Sequence, residues 1–216
     1  MQQGPHISAQ GQPDYNGKDV IDFCFYIESW VESVDHHHHT EETVIFPKIE
    51  EMAGEPGLLS GPQHQHEEFH DGMLNLGTTA NSWQKSPQEY SWTKTKAIID
   101  DLAPALTKHL YEEIDVFLGF ERLDSEGLQK CWDDGENAAK AAGKISFLYD
   151  ILSCVLGTCD KTYEGGNDFP PLPGFMPYAI KYWFGSYHPG AWRFNPCDFW
   201  GQPRPLPMLP ENRGKN

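Results

Sequence analysis

The sequence predicts an all-α fold, and three observations carry that reading. Apolar residues recur at helical spacing from about residue 19 to 120, strand-type alternation is poor throughout, and three pairs of chemistry-bearing residues sit four apart on successive helical stretches. The first stretch runs from about Asp19 to Phe46, with Phe23, Ile27, Trp30 and Val34, then Ile45 and Ile49, on its apolar stripe. Pro47 is expected to kink or end it, because the proline ring clashes with the carbonyl four residues back. Gly54, Pro56 and Gly57 mark the turn that follows. A second helix is expected from about Pro62 to Trp83, with Phe69, Met73, Leu74 and Leu76 as apolar surface, and Ser86-Pro87 breaks the chain after it. A third covers roughly Trp92 to Phe120 on Ile98, Leu102, Leu106, Leu110, Ile114 and Phe117. Pro104 inside it implies either a kink or a firm start of the helix at that point. Further helical patterns lie at about 126–142 and 145–156.

A length of 216 residues suits one domain with a real core plus an extension. Ten of the seventeen prolines lie from Pro170 onward, together with Trp183, Trp192 and Trp200, so the last part reads as an aromatic, proline-punctuated wrap. The expected division is a helical bundle over 19–122 and an extension over 123–216 packed on it. No run of 18 apolar residues exists, which excludes a membrane-spanning helix. No basic-then-apolar secretory signal opens the sequence. A formal net charge of -16 argues against nucleic acid as a partner, since phosphate recognition needs clustered Lys and Arg. The five cysteines, Cys24, Cys131, Cys154, Cys159 and Cys197, are odd in number and form no CxxC pair. That pattern favours free thiols in a reducing compartment, and the expected address is cytoplasmic. GxSxG, P-loop and GxGxxG patterns are lacking, so nucleophilic and nucleotide chemistry find no support.

Residues four apart on a helix sit one turn apart and about 40° round from each other, so both can point at one ion. Three such pairs are present: His38 and Glu42 on the first helix, His66 and His70 on the second, His109 and Glu113 on the third. The first pair must be chosen from His36-His37-His38-His39-Thr40-Glu41-Glu42. Carrying the apolar stripe through Val31, Val34, Ile45 and Ile49 puts His38 and Glu42 inward, with His37 and Glu41 beside them nearer solvent. The second pair is continued by Met73, Leu74 and Gly77, and the third is flanked by Leu102, Leu106, Ile114 and Phe117. Buried histidines and glutamates are costly unless paired, and coordination satisfies several at once. Four imidazoles and two carboxylates suit iron, manganese or zinc, and six donors suit two bridged ions better than one tetrahedral zinc. The histidine run is internal and continues into an amphipathic helix, unlike an expression tag. Glu41, Glu67 and Glu112 read as solvated, with contact to a ligating histidine as the alternative. A ferritin-like site would need ExxH motifs on two helices; Glu67 to His70 offers one and the third helix none.

Three segments resemble the hemerythrin-like, HHE cation-binding family: His37-His38-His39-Thr40-Glu41-Glu42 with Ile45-Phe46-Pro47, Gln65-His66-Glu67-Glu68-Phe69-His70, and Leu106-Thr107-Lys108-His109-Leu110-Tyr111-Glu112-Glu113. The likeness spans about residues 19–122. It implies an up-down four-helix bundle binding two irons, with His38, His66, His70 and His109 as terminal ligands and Glu42 and Glu113 as bridges. The tail, in Asp160 to Gly166 and Trp192 to Pro196, looks like an extension of fungal members of the family. Such proteins normally begin with a helix donating a further histidine, and this sequence starts too late to supply it. Gln2-Gln3-Gly4-Pro5-His6 looks like the loop after that helix, with His6 not a ligand. The fourth position would then be open, filled by the helix at 126–142, or supplied by a second copy in a homodimer. One metal would be left under-coordinated, opening a place for dioxygen or a small-molecule substrate. The resemblance therefore implies a non-haem di-iron protein that binds or activates dioxygen. Alternatives are an oxidative tailoring enzyme acting on a natural-product intermediate, with Phe175 to Trp200 roofing a cavity or covering an apolar flank, and an iron-sensing or buffering module.

Overall fold

The computed structural model describes residues 3–7, 15–142, 147–164, 166 and 169–212. The regular elements among these residues are all helical, with no strand among them and one isolated antiparallel bridge between Cys197 and Pro203. The main helices are α1 (Gly17–Thr40), α2 (Phe46–Ala53), α3 (Ser60–Lys85), α4 (Trp92–Leu118), α5 (Ser125–Ala142), α6 (Leu152–Thr158) and α7 (Met176–Tyr182). None of the described helices is long and apolar enough to cross a membrane. The five cysteines are free thiols.

Pro47 neither ends nor simply kinks the first helix. A five-residue π-turn, Glu41–Ile45, joins α1 to α2, and Pro47 lies in the first turn of α2. Proline has no N–H to return to the carbonyl of Thr43, and a widened turn just ahead of it relieves the clash with that carbonyl. Gly54 (φ 67°) closes α2 in the left-handed conformation, and its amide reaches the carbonyls of Glu50 and Glu51. Pro62 occupies the first turn of α3, where its missing donor costs nothing. Pro104 lies inside α4, so the helix starts at Trp92 and not at the proline. Of the helix expected at 145–156, residues 145 and 146 are outside the described set; the rest forms a π-turn, Phe147–Ile151, running into α6. Met1, Gln2 and Gly165, read in the sequence, are also outside it.

The residues cluster into two compact units whose bounds cut across the 19–122 and 123–216 division: 1–33 with 76–95 and 144–216, and 34–75 with 96–143. In the first unit the C-terminal segment packs on the N-terminal half of α1. Phe194 lies 5.1 Å from Phe23, Trp192 lies 5.9 Å from Phe25, and Arg193 pairs with Asp19 and Asp22. His188 is half-buried and stacked 3.8 Å from the Phe25 ring. Leu152, Leu156 and Ile180 form a further small core in this unit.

In the second unit, Ile45, Phe46, Ile49, Leu59, Phe120 and Cys131 make the core, and Leu128 of α5 packs against it. The expected helix at 126–142 is thus present and seated on the π-turn and α2. Ile98, Leu102 and Leu106 are buried as expected, but Leu110 and Ile114 of α4 and Leu74 of α3 are exposed. The inward line on α4 continues instead through His109 and Glu113, three and seven residues beyond Leu106, which turns Leu110 and Ile114 outward.

Gly135 lets α5 seat on the π-turn, for a Cβ there would lie 2.6 Å from Ile45 Cγ1. Gly135→Leu is expected to cost about 1–3 kcal/mol through overpacking, read as a lowered melting temperature. Gly119→Ala, where a Cβ meets nothing within 4 Å, is the control and should melt close to the parent.

Candidate metal centre

α1 and the π-turn, α3 and α4 bring their polar residues together in the interior of the second unit. The imidazoles of His38 and His66 stack with ring centroids 4.0 Å apart, and His109 lies edge-on to them at 5.3 and 4.6 Å. The Phe69 ring, 5.3 Å from His38 and 5.5 Å from His109, walls the cluster on its apolar side. His38, His66, His109, Glu41 and Glu113 are all buried.

Three overlapping trios form, each with one donor atom per residue inside a 4.8 Å span: His38, His66 and His109; His37, His38 and Glu41; Glu41, His66 and Glu113. Donors at about 2.0–2.2 Å from a shared ion stand at most about 4.4 Å apart, so a shift of a few tenths of an ångström closes any trio on a cation. The trios share His38, His66 and Glu41, so the arrangement can serve more than one ion.

Of the six residues singled out in the sequence, four meet here: His38, His66, His109 and Glu113. Glu42 stands alongside, its side chain 32% exposed, accepting a 2.7 Å hydrogen bond from His66 Nδ1. His70 is not brought into the cluster. Its side chain is 60% exposed, with Nδ1 4.0 Å from Asp35. It lines, with Asp35, His39, Glu42, His66 and Met73, a cavity of about 250 Å³ on the flank of the centre.

Glu41 reads as solvated in the sequence and is in fact 1% exposed, between His37 (3.3 Å), His66 (3.8 Å) and the carboxylate of Glu113. A regular helix places residues 41 and 42 about 60° and 40° either side of the His38 direction, so periodicity favours Glu42 by only a small margin. The π-turn departs from that uniform count, and it turns Glu41 in. Glu67 is solvated as expected, paired with His64 on the surface, and Tyr111 is exposed, away from the centre.

The donor set fits a metal on its unpaired atoms. His38 Nε2, His66 Nε2, His109 Nε2, both oxygens of Glu41 and Oε1 of Glu113 are buried without a hydrogen-bond partner. Orphaned buried polar atoms are rare, and their convergence on one point from three helices calls for a cation. Without one, burial shifts each of these groups toward its neutral form. Desolvation, then the charges of Glu113 and Glu42, pushes the Glu41 carboxyl up to about 9, and desolvation pushes Glu113 up to about 7. Desolvation and the neighbouring imidazoles drive His109 down to about 4 and His38 to about 2. Desolvation also lowers His66, against the raising effect of its hydrogen bond to the Glu42 carboxylate.

Residues 20–120 match the family described as Hemerythrin HHE cation binding domain. The chain is 38% identical over 193 residues to the "Dimeric xanthone biosynthesis cluster protein R11" of Cryptosporiopsis sp. (strain 8999), covering 89% of this chain and 72% of that relative. No solved structure matches.

The shifts fix how the metal-free protein responds to pH. Glu41 and Glu113 have folded pKa values above the ordinary 4.5, so their contribution is complete below that value and is lost as pH rises through about 7 and about 9. The histidines are depressed, so their share is gained as pH rises from about 2 for His38 and about 4 for His109 to 6.5, and is constant above. The melting temperature of chelator-treated protein should therefore fall from pH 7 to 9, and Glu41→Gln should flatten that fall. A flat profile in the parent protein contradicts the burial of these carboxyls.

Proposed function

We propose that this chain, which belongs to the hemerythrin HHE cation-binding family, holds a pair of iron ions between α1, α3 and α4 and uses them to bind or activate dioxygen. The observation that carries this reading is the convergence of three unpaired imidazole Nε2 atoms and two buried carboxylates in overlapping trios. His38, His66 and His109 would be terminal ligands, with Glu41 and Glu113, which share a trio, as the bridging carboxylates. Manganese or zinc would suit the same nitrogen and oxygen donors. Bound iron would supply the redox chemistry that dioxygen requires.

The residues around the centre support that use. Phe69 and Phe46, whose rings lie 6.1 and 6.0 Å from His66, keep one side apolar and exclude water. The cavity of about 250 Å³, which Phe69 also lines, touches His38 and His66 and reaches the exposed His70 and Asp35. That is room for dioxygen and for part of a small organic molecule. Its position favours a second reading, oxidative tailoring of a natural-product intermediate, which accords with the biosynthesis cluster in the relative's description. Under either reading the ligands hold the metal and carry no acid–base role of their own.

The test is metal content per chain with an optical spectrum, recorded reduced and then after exposure to air. The expected result is up to two irons per chain and a visible absorbance change that depends on oxygen. His66→Ala and His109→Ala should each cut metal content by half or more, and Glu41→Ala should lower it more than Glu42→Ala. Unchanged stoichiometry in both histidine variants removes those residues from the ligand set. Iron uptake without an oxygen-dependent change would point to sensing or buffering instead.

A further inference from the structure

Beside the centre lies a second set of contacts in which the π-turn holds a ligand of α3, α3 holds a ligand of α4, and α4 holds the residue of α3 that does so. Glu42, next to Glu41, accepts from His66 Nδ1 on α3 at 2.7 Å. Gln65, next to His66, meets His109 Nδ1 on α4 through its Oε1 at 3.3 Å. Glu112, next to Glu113, accepts from Gln65 Nε2 at 2.6 Å, and Lys108 stands 4.0 Å from that same carboxylate.

The direction of these bonds is forced by chemistry. A carboxylate only accepts, so Glu112 draws the NH₂ end of the Gln65 amide toward itself. The amide is planar, so its oxygen is then left facing His109. An oxygen acceptor can be met there only by an Nδ1–H. A neutral imidazole has one proton, so with Nδ1 protonated the lone pair of His109 lies on Nε2, the buried atom that has no hydrogen-bond partner, on a ring that belongs to the trio with His38 and His66.

We propose that Gln65 and Glu112 are positioning residues, a relay from the surface that fixes His109 as its Nδ1–H tautomer and presents Nε2 to the metal. Glu42 does the same for His66 by direct contact. The relay is anchored at its outer end by Lys108 and Glu112, which are half-exposed, while its inner end is fully buried. It rests on the reading of His109 as a ligand, but its primary measurement does not.

That measurement is ¹⁵N NMR of the histidine side chains in the full-length, chelator-treated chain, which reports the protonated nitrogen of each ring. The expected result is Nδ1–H at His109, shifting toward an Nε2–H mixture in Gln65→Leu and in Glu112→Leu. Gln65→Glu keeps an acceptor oxygen against His109 and should restore the parent tautomer, which a merely structural role would not predict. Titration with Co(II), whose visible spectrum follows its ligands, should show about 10- to 100-fold weaker binding in Gln65→Leu, the usual effect of losing a partner behind a ligand. An Nε2–H tautomer at His109 in the parent chain, or one unchanged in both leucine variants, overturns the relay. A parent chain that takes up no metal but loses the Nδ1–H tautomer in Gln65→Leu upholds the relay and sinks only the metal reading.

Discussion

The second unit depends on one constraint: polar atoms from three helices are carried into a place where water does not reach and left there facing each other. Removing a carboxylate from water costs on the order of several kcal/mol even after relaxation. Here Glu41 and Glu113 are both withdrawn, beside three imidazoles that burial keeps uncharged. Apolar packing, from Phe69 to the Ile45, Phe46 and Ile49 core, holds the helices together around these groups. A sequence that tolerates such an interior must gain something that only those atoms provide, and a shared cation provides it.

Much of this was legible in the sequence because it follows from spacing. The all-α class, the three helices, and the inward placement of His38, His66, His109 and Glu113 come from the 3.6-residue period together with the apolar stripe. The family resemblance drawn on the HHHTEE, HEEFH and HLYEE segments agrees with the match over 20–120. What escaped is equally physical. Glu41 and Glu42 straddle the inward direction, and no residue pattern announces a π-turn, so counting at 100° per residue chose the wrong one as the more buried. Leu110 and Ile114 read as core because they are apolar, yet the inward positions of α4 beyond Leu106 are taken by His109 and Glu113. His70 is four residues from His66, but the same face of α3 has reached the cavity rim by then.

Gln65 and Glu112 illustrate a different limit. Each is an ordinary polar residue next to a conspicuous one, and nothing local distinguishes it from a solvated neighbour. Their roles come from contacts across 44 and 47 residues of chain. Adjacency to a ligand was the available clue, since a residue one step round a helix from an inward donor lies at the seam with the next helix.

The π-turn between α1 and α2 has a further consequence for how this protein tolerates change. Shortening Glu41–Ile45 by one residue would restore a plain α-helical phase and rotate His37 and His38 by about 100° relative to Ile45 and Ile49. The apolar grip of α2 and α5 would survive, because it lies downstream of the cut, while the imidazoles upstream would swing off the centre. Folding and cation capacity are therefore separable at this one hinge of register, and length variation there would yield a bundle that stands without its ions.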